Sequence, residues 1–211
     1  MLGIHDLPLF IISGLLLNIM PGPDSLLIMT RSATQGWRAG CAAALGIGTG
    51  TLVHIFAAAL GLSAILATSA TAFTVVKLIG AAYILYMAFG LLRSRKETGE
   101  AASLALPALP YRTIFAQGFL TNVLNPKVAV FFLAFVPQFI SADAPNKALA
   151  FVVLGCIFNV NGMLWCAALS LATAKASARI KLSPAVSLWL NRVTGGLFAW
   201  LGVKLALSKQ H

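Results

Sequence analysis

The sequence predicts an all-α polytopic membrane protein with six transmembrane helices, arranged as two inverted repeats of three helices each. Three observations predict this fold: the hydrophobic share, the length of the apolar segments, and a match between the two halves. Of the 211 residues, 59% are hydrophobic and 9% are charged, against about 25% charged in soluble domains. A soluble core of this size cannot bury so much apolar surface. We therefore expect residues 1–211 to form a single transmembrane domain.

Six apolar segments are long enough to cross a bilayer, which takes about 20 apolar residues in a helix. The first has no basic segment before it and no good cleavage site after it, so we expect a retained helix and not a signal peptide. Residues 93–112 form the only long connection, between a first repeat of about 1–92 and a second of about 113–211. The predicted spans are 6–30, 41–66, 70–92, 113–140, 146–173 and 185–208.

The basic residues predict the orientation. Ten of the 15 Lys and Arg residues lie in loops one, three and five, and four lie on the opposite side. Cytoplasmic loops carry an excess of Lys and Arg, so we expect the odd loops, including 93–112, in the cytoplasm and both termini in the periplasm. The net charge of +10 follows from this topology, and we expect no nucleic-acid partner. Three cysteines without metal-site spacing predict neither a metal nor a cofactor.

The two halves match at three places in the same order. "PGPDSLLI" (21–28) aligns with "LNPKVAVF" (124–131), which pairs Pro23 with Pro126 and Asp24 with Lys127. Small and polar residues recur at one spacing in the second span of each half, and "KLIGAAY" (77–83) aligns with "RVTGGLF" (192–198). Three spans in each half make the repeats inverted, a recurrent plan of secondary transporters. Their binding sites lie near the midplane at discontinuous helices.

The first and fourth spans are the two that we expect to be broken. The first is interrupted by Pro21, Gly22 and Pro23, and the fourth by Pro126. Proline removes a backbone N–H and clashes with the preceding turn. Backbone groups freed in this way survive at membrane depth only inside protein or beside a watery cavity. The half-helix after "PGPD" should also present free N–H groups and the positive end of its dipole there.

Asp24 and Lys127 are charged residues that we place inside the membrane. Each charge near a helix centre costs about 2.5–3.5 kcal/mol on insertion scales, so both need compensation. One interpretation is a structural ion pair that closes the repeat interface. The other is that both line a substrate cavity and pair with each other when no substrate is bound.

Several uncharged or titratable side chains are further candidates. His54 and Asn159 occupy equivalent positions in the second spans of the two halves. We interpret Asn159 as lining the cavity, and His54 either as a packing residue or, with Asp24, as part of a proton path. Asn122, Asn125 and Asn161 are weaker candidates of the same kind, and capping of the broken fourth span explains Asn125 equally well.

The segment "GIGTGT" (46–51) lacks the spacing of a nucleotide-binding loop and lies within a span, so we interpret it as helix packing. Gly46, Gly50 and Gly195–Gly196 suit contacts within one protomer or between the protomers of a homo-oligomer, and the sequence leaves both open. No ATP-binding motif is present, so active transport would need an ion gradient or a partner's energy.

Four segments together resemble the LysE/RhtB family of amino-acid exporters: "PGPD", "GWRAGCAAALGIGTG", "LTNVLNPKVAVFFLAFVPQF" and "NRVTGGLFAWLGVKLAL". The resemblance covers essentially the whole chain, and "PGP" and "NPK" are its distinctive motifs. It implies a secondary active exporter of amino acids or close derivatives from the bacterial cytoplasm, driven by proton antiport across the inner membrane. Length and loop pattern resemble the homoserine/threonine/leucine branch.

The residues agree with this implication because an amino acid is a zwitterion. Asp24 would hold the ammonium, and Lys127 or free N–H groups would hold the carboxylate, with Pro23 and Asn125 beside them at the breaks. Protonation of Asp24 would release the ammonium. Two alternatives stay open: a transporter of other small solutes or cations, for which one carboxylate near a lysine is a poor site, and an intramembrane enzyme. No HExxH or GxSxG motif is present, so we expect no enzyme.

Overall fold

The structure, a computed structural model, describes residues 2–62, 70–93 and 108–176, and residues 192, 196, 199, 200 and 203 of the last predicted span. In this part of the chain all regular structure is helical, and an isolated bridge joins Ile4 to Ile140. The helices are α1 (Leu7–Ile19), α2 (Pro23–Gln35), α3 (Trp37–Ala57, continued by a π-helical turn, Ala58–Leu62), α4 (Ala70–Arg93), α5 (Tyr111–Val123), α6 (Pro126–Val130, then a π-helical turn, Phe131–Phe135, and a 3-10 turn, Val136–Phe139) and α7 (Lys147–Ala176).

Long apolar helices confirm the all-helical class and the membrane assignment. Trp37–Gly61 and Lys147–Ala176 are long and apolar enough to cross a membrane, and they correspond to the predicted spans 41–66 and 146–173. Helix α4 corresponds to the span 70–92. Residues 94–107 of the predicted long loop and most of the span 185–208 lie outside the described residues. The count of six spans and the inverted repeat therefore stay predictions.

Two helix pairs are sharply bent. The axes of α1 and α2 meet at 55°, and those of α5 and α6 meet at 46°. Each pair is apolar enough to count as one broken span, and both bends lie at the proline-containing segments. Pro23 and Pro126 are the first residues of α2 and α6, where the missing N–H would have had no helical partner anyway. Pro21 and Gly22 lie in the first break itself.

Contacts between distant segments place the connections at two ends of the bundle. At one end, the Gln35 carboxamide makes two 3.0 Å hydrogen bonds with the backbone of Leu109. At the other end, the N–H of Ser141 donates to the carbonyl of Gly3 at 2.8 Å. One end of the bundle, opposite the N-terminus, thus holds the connection between α2 and α3 and the described end of the connection 93–112. The last turns of α7 lie at the same end. That arrangement agrees with the predicted grouping of the odd loops.

Two apolar layers fill the interior. The outer apolar layer, on the side of the N-terminus, is aromatic, with ring centroids as close as 4.5 Å between Phe131 and Phe158. The inner apolar layer lies towards the opposite end and is made of small aliphatic residues. We define the outer layer as Phe10, Phe131, Phe132, Phe135, Phe139, Phe151 and Phe158, and the inner layer as Ile28, Ala39, Ala43, Ala44, Ile47, Ile114 and Cys166.

Gly46 and Gly50 of "GIGTGT" pack α3 against α5 within one protomer. A Cβ at Gly46 would overlap the carbonyl oxygen of Phe115, and one at Gly118 would overlap that of Ala43. Backbones can approach this closely only where side chains are absent. At Gly50 a Cβ would lie 2.9 Å from the Cβ of Asn122, so the same stripe brings α3 against the second helix break.

Candidate functional site

Asp24, the second residue of α2, is bound by side chains from the second helix break. Its Oδ2 accepts hydrogen bonds from Nδ2 of Asn122 at 2.8 Å and from Nδ2 of Asn125 at 3.1 Å. A carboxylate in the first turn of a helix is also stabilised by the helix dipole. Its other oxygen, Oδ1, is buried and has no hydrogen-bond partner in the described part of the chain. The carboxylate therefore keeps one acceptor unfilled.

Lys127, the second residue of α6, is bound by the first helix break. Its side-chain ammonium donates to the carbonyl oxygens of Leu17 at 3.1 Å and Met20 at 3.2 Å. In an unbroken helix the Leu17 carbonyl would bond to the N–H of residue 21, but Pro21 has none. The last carbonyls of α1 also form the negative end of its dipole, which favours a cation. An ammonium has three N–H donors, so one remains for another partner.

Gly22 makes room for that ammonium. A Cβ at this position would lie 3.2 Å from Nζ of Lys127. The φ of Gly22 is −164°, which any residue adopts, so the glycine matters for the space beside the ammonium and not for backbone conformation.

The expected ion pair between Asp24 and Lys127 does not form. In the described part of the chain, the contact found between a basic and an acidic side chain is the exposed one between His5 and Asp6. The physical reason is that each break exposes the polar groups that the other break's charge needs. Carboxamides satisfy the carboxylate, and freed carbonyls satisfy the ammonium. The two charges instead face one cavity.

That cavity lies between the two apolar layers and has a volume of about 30 Å³. A space of this size holds about two water molecules, and it is too small for an amino acid. Phe158 of the outer layer and Ile47 and Cys166 of the inner layer contribute to its wall. Its polar lining consists of Asn18, Asp24, Ser25, Thr51, Asn122, Lys127 and Asn159.

Asn18 is a cavity residue that the sequence analysis did not single out. Its Nδ2 is buried and meets no hydrogen-bond partner among the residues that the structure describes. Its carboxamide lies against Gly162 of α7, where a Cβ would be 3.3 Å away. A signal was present, because Asn18 is the polar residue just before the first break in an otherwise apolar run. Together with Asp24 and Lys127, it leaves the cavity with one acceptor and two donors unfilled.

Asn122 is more central than its sequence suggested. It is 2% exposed, and besides donating to Asp24 its Oδ1 accepts from the Thr51 hydroxyl at 3.3 Å. Its backbone carbonyl accepts from Nε2 of His54 at 3.0 Å. One residue therefore connects α2, α3 and the second break.

The other predicted residues divide into two groups. Asn159 lines the cavity, where its Nδ2 donates to the carbonyl of Gly48 at 3.3 Å. Asn125 caps α6 by accepting from the N–H of Lys127 at 3.0 Å, and it also donates to Asp24. It is not part of the cavity wall, so capping is the one of its two proposed roles that the structure shows. Pro23 begins α2 with an exposed ring, outside the cavity wall.

His54 lies outside the cavity lining as well. A carbonyl oxygen only accepts hydrogen bonds, so the Nε2 that meets Asn122 carries a proton. The ring stacks on Phe132 with an interplanar angle of 9°. In the described ranges, no three or more His, Cys, Asp or Glu side chains are grouped so as to hold a metal ion.

Comparison with known proteins places this geometry in a family. The family model of the LysE type translocator matches residues 15–209. The chain belongs to this family. As a translocator it is a membrane transporter, and the resemblance deduced from its motifs is confirmed. No solved structure matches the chain.

The translocator is similar over nearly its whole length to proteins of several bacteria. It is 31% identical over 213 residues to the uncharacterized membrane protein YrhP of Bacillus subtilis, with 97% of this chain and all of that protein covered. It is 29% identical over 210 residues to the uncharacterized membrane protein PA4757 of Pseudomonas aeruginosa, covering 98% and 97% of the two chains. It is 24% identical over 204 residues to the leucine efflux protein of Salmonella typhimurium, covering 97% and 96%.

Proposed function

We propose that this translocator exports amino acids from the bacterial cytoplasm across the inner membrane by proton antiport. The observation that carries the proposal is the set of unfilled hydrogen-bonding atoms in one cavity. Within the described ranges, Oδ1 of Asp24 lacks a donor, whereas Nδ2 of Asn18 and the third N–H of Lys127 lack acceptors. An amino-acid zwitterion supplies the complement, with its ammonium at Asp24 and its carboxylate between Asn18 and Lys127. The leucine efflux relatives support this substrate class.

The charges of the cavity favour a zwitterion over a cation. Asp24 and Lys127 together are neutral, so a neutral zwitterion enters without adding net charge to a site of low dielectric. A lone cation at Asp24 would instead be repelled by the Lys127 ammonium, and this repulsion is strong away from water. The alternative of cation transport is therefore disfavoured.

Proton coupling is assigned to Asp24. The ionised carboxylate binds the substrate ammonium, and protonation removes the charge that attracts it. Asn122 and Asn125 hold Oδ2 in either state, so the carboxyl group stays in place while its charge changes. In this proposal the odd loops lie in the cytoplasm, and the two halves form inverted repeats. The reciprocal contacts between the breaks support the repeat, because Asp24 and Lys127 hold equivalent positions in α2 and α6.

The 30 Å³ cavity must widen to admit a substrate. Phe158 and Met163 of α7 contribute to its wall, and methionine is flexible enough to change rotamer without backbone movement. In this proposal an amino acid with an apolar side chain enters on that side, while its zwitterionic end faces the two breaks.

The test is gradient-driven transport by purified protein in proteoliposomes, with labelled leucine first and then a panel of amino acids. We expect an imposed pH gradient to accelerate transport of at least one of them. Asp24→Asn should reduce that transport about tenfold or more, since a hydrogen bond to a charged group contributes about 1.5–3 kcal/mol. Asp143→Asn, at an exposed aspartate after α6, is the matched control and should transport normally.

Two results would contradict the proposal. Undiminished gradient-driven transport by Asp24→Asn would remove Asp24 from the mechanism. Absence of transport for every amino acid in the panel, with a pH gradient of either sign, would refute amino-acid antiport itself.

A further inference from the structure

Arg31 is a buried cation that the proposed transport site does not use. It lies in the last turns of α2 and is 8% exposed. Its Nη2 donates to Oε1 of Gln117 at 3.1 Å, but Nε and Nη1 are buried and have no hydrogen-bond partner among the described residues. No ion pair joins it to an acidic side chain of the described residues. A buried guanidinium with unfilled donors is unfavourable unless an anion binds it.

The neighbouring Arg38 is a basic residue whose position can be explained by membrane orientation alone. Arg38 is exposed, and its guanidinium lies 5.5 Å from the ring centroid of Trp37. An exposed position in a loop suffices for the orienting effect of basic residues. The orienting effect of basic residues therefore does not explain why Arg31 is buried.

The position of Arg31 connects it to the transport site. It is seven residues after Asp24, so it lies on the same face of α2, about 10.5 Å farther along the helix at 1.5 Å per residue. Ile28 stands between them, is fully buried and belongs to the inner apolar layer. An anion at Arg31 would thus be separated from the cavity by that layer.

Polar contacts join Arg31 and the following residue, Ser32, to helices packed around this end of α2. Gln117 of α5 contacts Arg31 directly, and the Ser32 hydroxyl donates to that of Ser170 at 3.1 Å. The Ser170 hydroxyl in turn donates to the carbonyl of Trp37 at 2.8 Å. These hydrogen bonds lie at the end of the bundle where Gln35 contacts Leu109, which the basic residues predict to be cytoplasmic.

We propose that Arg31, positioned by Gln117, is a second carboxylate-binding site, which the substrate meets before it reaches the cavity. A guanidinium presents several N–H donors in a planar arrangement that matches a carboxylate. The substrate's α-carboxylate binds at Arg31 first. The substrate then moves past Ile28 in the inner apolar layer, and its carboxylate binds Asn18 and Lys127. The inference rests on the proposed export of amino acids, because it requires entry from the cytoplasmic end.

Uptake of labelled leucine into inside-out membrane vesicles tests the site, because it reports the affinity of the cytoplasmic face. We expect Arg31→Met to raise KM about tenfold or more, from the usual strength of a charge-assisted hydrogen bond, and Arg31→Lys to give an intermediate value. Arg38→Met removes the same charge from the same end and should keep the wild-type KM. In right-side-out vesicles, the KM of the outer face should be unchanged by all three substitutions.

A binding measurement separates this site from the cavity. The probe is 4-methylpentanoate, which is leucine without its ammonium group, and its amide is the uncharged control. Purified Lys127→Met protein should still bind 4-methylpentanoate and should not bind its amide. Adding Arg31→Lys to this variant should weaken the binding of 4-methylpentanoate. These measurements use Arg31→Lys, which keeps the charge, so they decide the question even if Arg31→Met does not fold.

The outcomes are distinguishable. A wild-type KM in Arg31→Met, an equal rise in Arg38→Met, or equal binding of the carboxylate and the amide would overturn the inference and leave amino-acid export standing. Arg31-dependent binding of 4-methylpentanoate by a protein that transports no amino acid would support the carboxylate site and refute the proposed function.

Discussion

Replacing Asn122 by leucine tests whether one side chain holds the two helix breaks together. Leucine is close to asparagine in size, so the change removes the carboxamide without opening a large void. The 2.8 Å bond to Asp24 is lost, and so is a 3.3 Å contact from the Thr51 hydroxyl, whose one proton has a shorter acceptor in the Ile47 carbonyl at 3.1 Å. The bond to Asp24 involves a charge and contributes about 1.5–3 kcal/mol, whereas Thr51 keeps its bond to Ile47. We expect Asn122→Leu to lower the free energy of unfolding by about 1.5–3 kcal/mol.

A double-mutant cycle isolates the bond between Asn122 and Asp24. In Asp24→Asn protein the same donor meets a neutral acceptor, and a neutral bond has about half the strength of a charge-assisted one. Asn122→Leu should therefore destabilise Asp24→Asn protein by about 1–1.5 kcal/mol less than wild type. The assay is unfolding of the purified protein by dodecyl sulfate in mixed micelles, followed by loss of helical circular dichroism.

The matched control cycle combines Asp24→Asn with Ser32→Ala. Ser32 lies two turns farther along α2 and bonds to Ser170, so it shares no partner with Asp24. The two effects should add within about 0.5 kcal/mol. If the cycle with Asn122 is equally additive, or if Asn122→Leu costs less than about 0.5 kcal/mol, the breaks are held together by other contacts and the reasoning fails.

Two glycine substitutions test whether a Cβ is tolerated, one beside the Lys127 ammonium and one between α3 and α5. Gly22→Ala places a Cβ 3.2 Å from Nζ of Lys127 and should displace the ammonium from the α1 carbonyls. Vesicle uptake of leucine should fall several-fold with little change in thermal stability, and wild-type uptake would show that the ammonium position is unimportant. Gly46→Ala should lower the free energy of unfolding by about 1–3 kcal/mol or more through overpacking against Phe115. Gly61→Ala, whose added Cβ meets no described residue within 4 Å, is its control. Equal effects of the two substitutions on the unfolding temperature would contradict the packing argument.

The helix breaks could be predicted from the sequence because their cause is local. Proline removes one donor and fixes one dihedral angle wherever it occurs, so "PGP" and "NP" mark the ends of α1 and α5 without knowledge of the fold. The far end of α2 could not be read in the same way. Apolar residues stop near Met29, but the helix continues to Gln35, and Gly36 with φ of 83° follows it. Hydropathy reports where the apolar environment ends, whereas backbone conformation decides where a helix ends.

The partners of the two charges could not be predicted because they depend on the register between distant helices. Pro21 alone shows that the Leu17 carbonyl needs another donor. The donor is Lys127, 110 residues away in the sequence, and no local pattern encodes this contact. A direct ion pair was the simplest interpretation of two opposite charges in an apolar chain. It neglected that each broken helix exposes polar groups that can satisfy a charge, and that Asn122, by type a capping residue, lies beside Asp24.

The role of His54 can be decided by a substitution that keeps its hydrogen bond. A proton moving between His54 and Asp24 would have to cross Asn122, whose backbone carbonyl meets the histidine and whose amide meets the carboxylate. An amide is a poor proton relay because it neither gains nor loses protons near neutral pH. Glutamine can donate to the Asn122 carbonyl as His54 does, but it does not titrate. We therefore expect His54→Gln to keep gradient-driven transport with the wild-type pH profile. His54→Phe, which keeps the stacking on Phe132 but loses the hydrogen bond, should lower the unfolding temperature. A flattened pH profile in His54→Gln at wild-type stability would instead place His54 on the proton path.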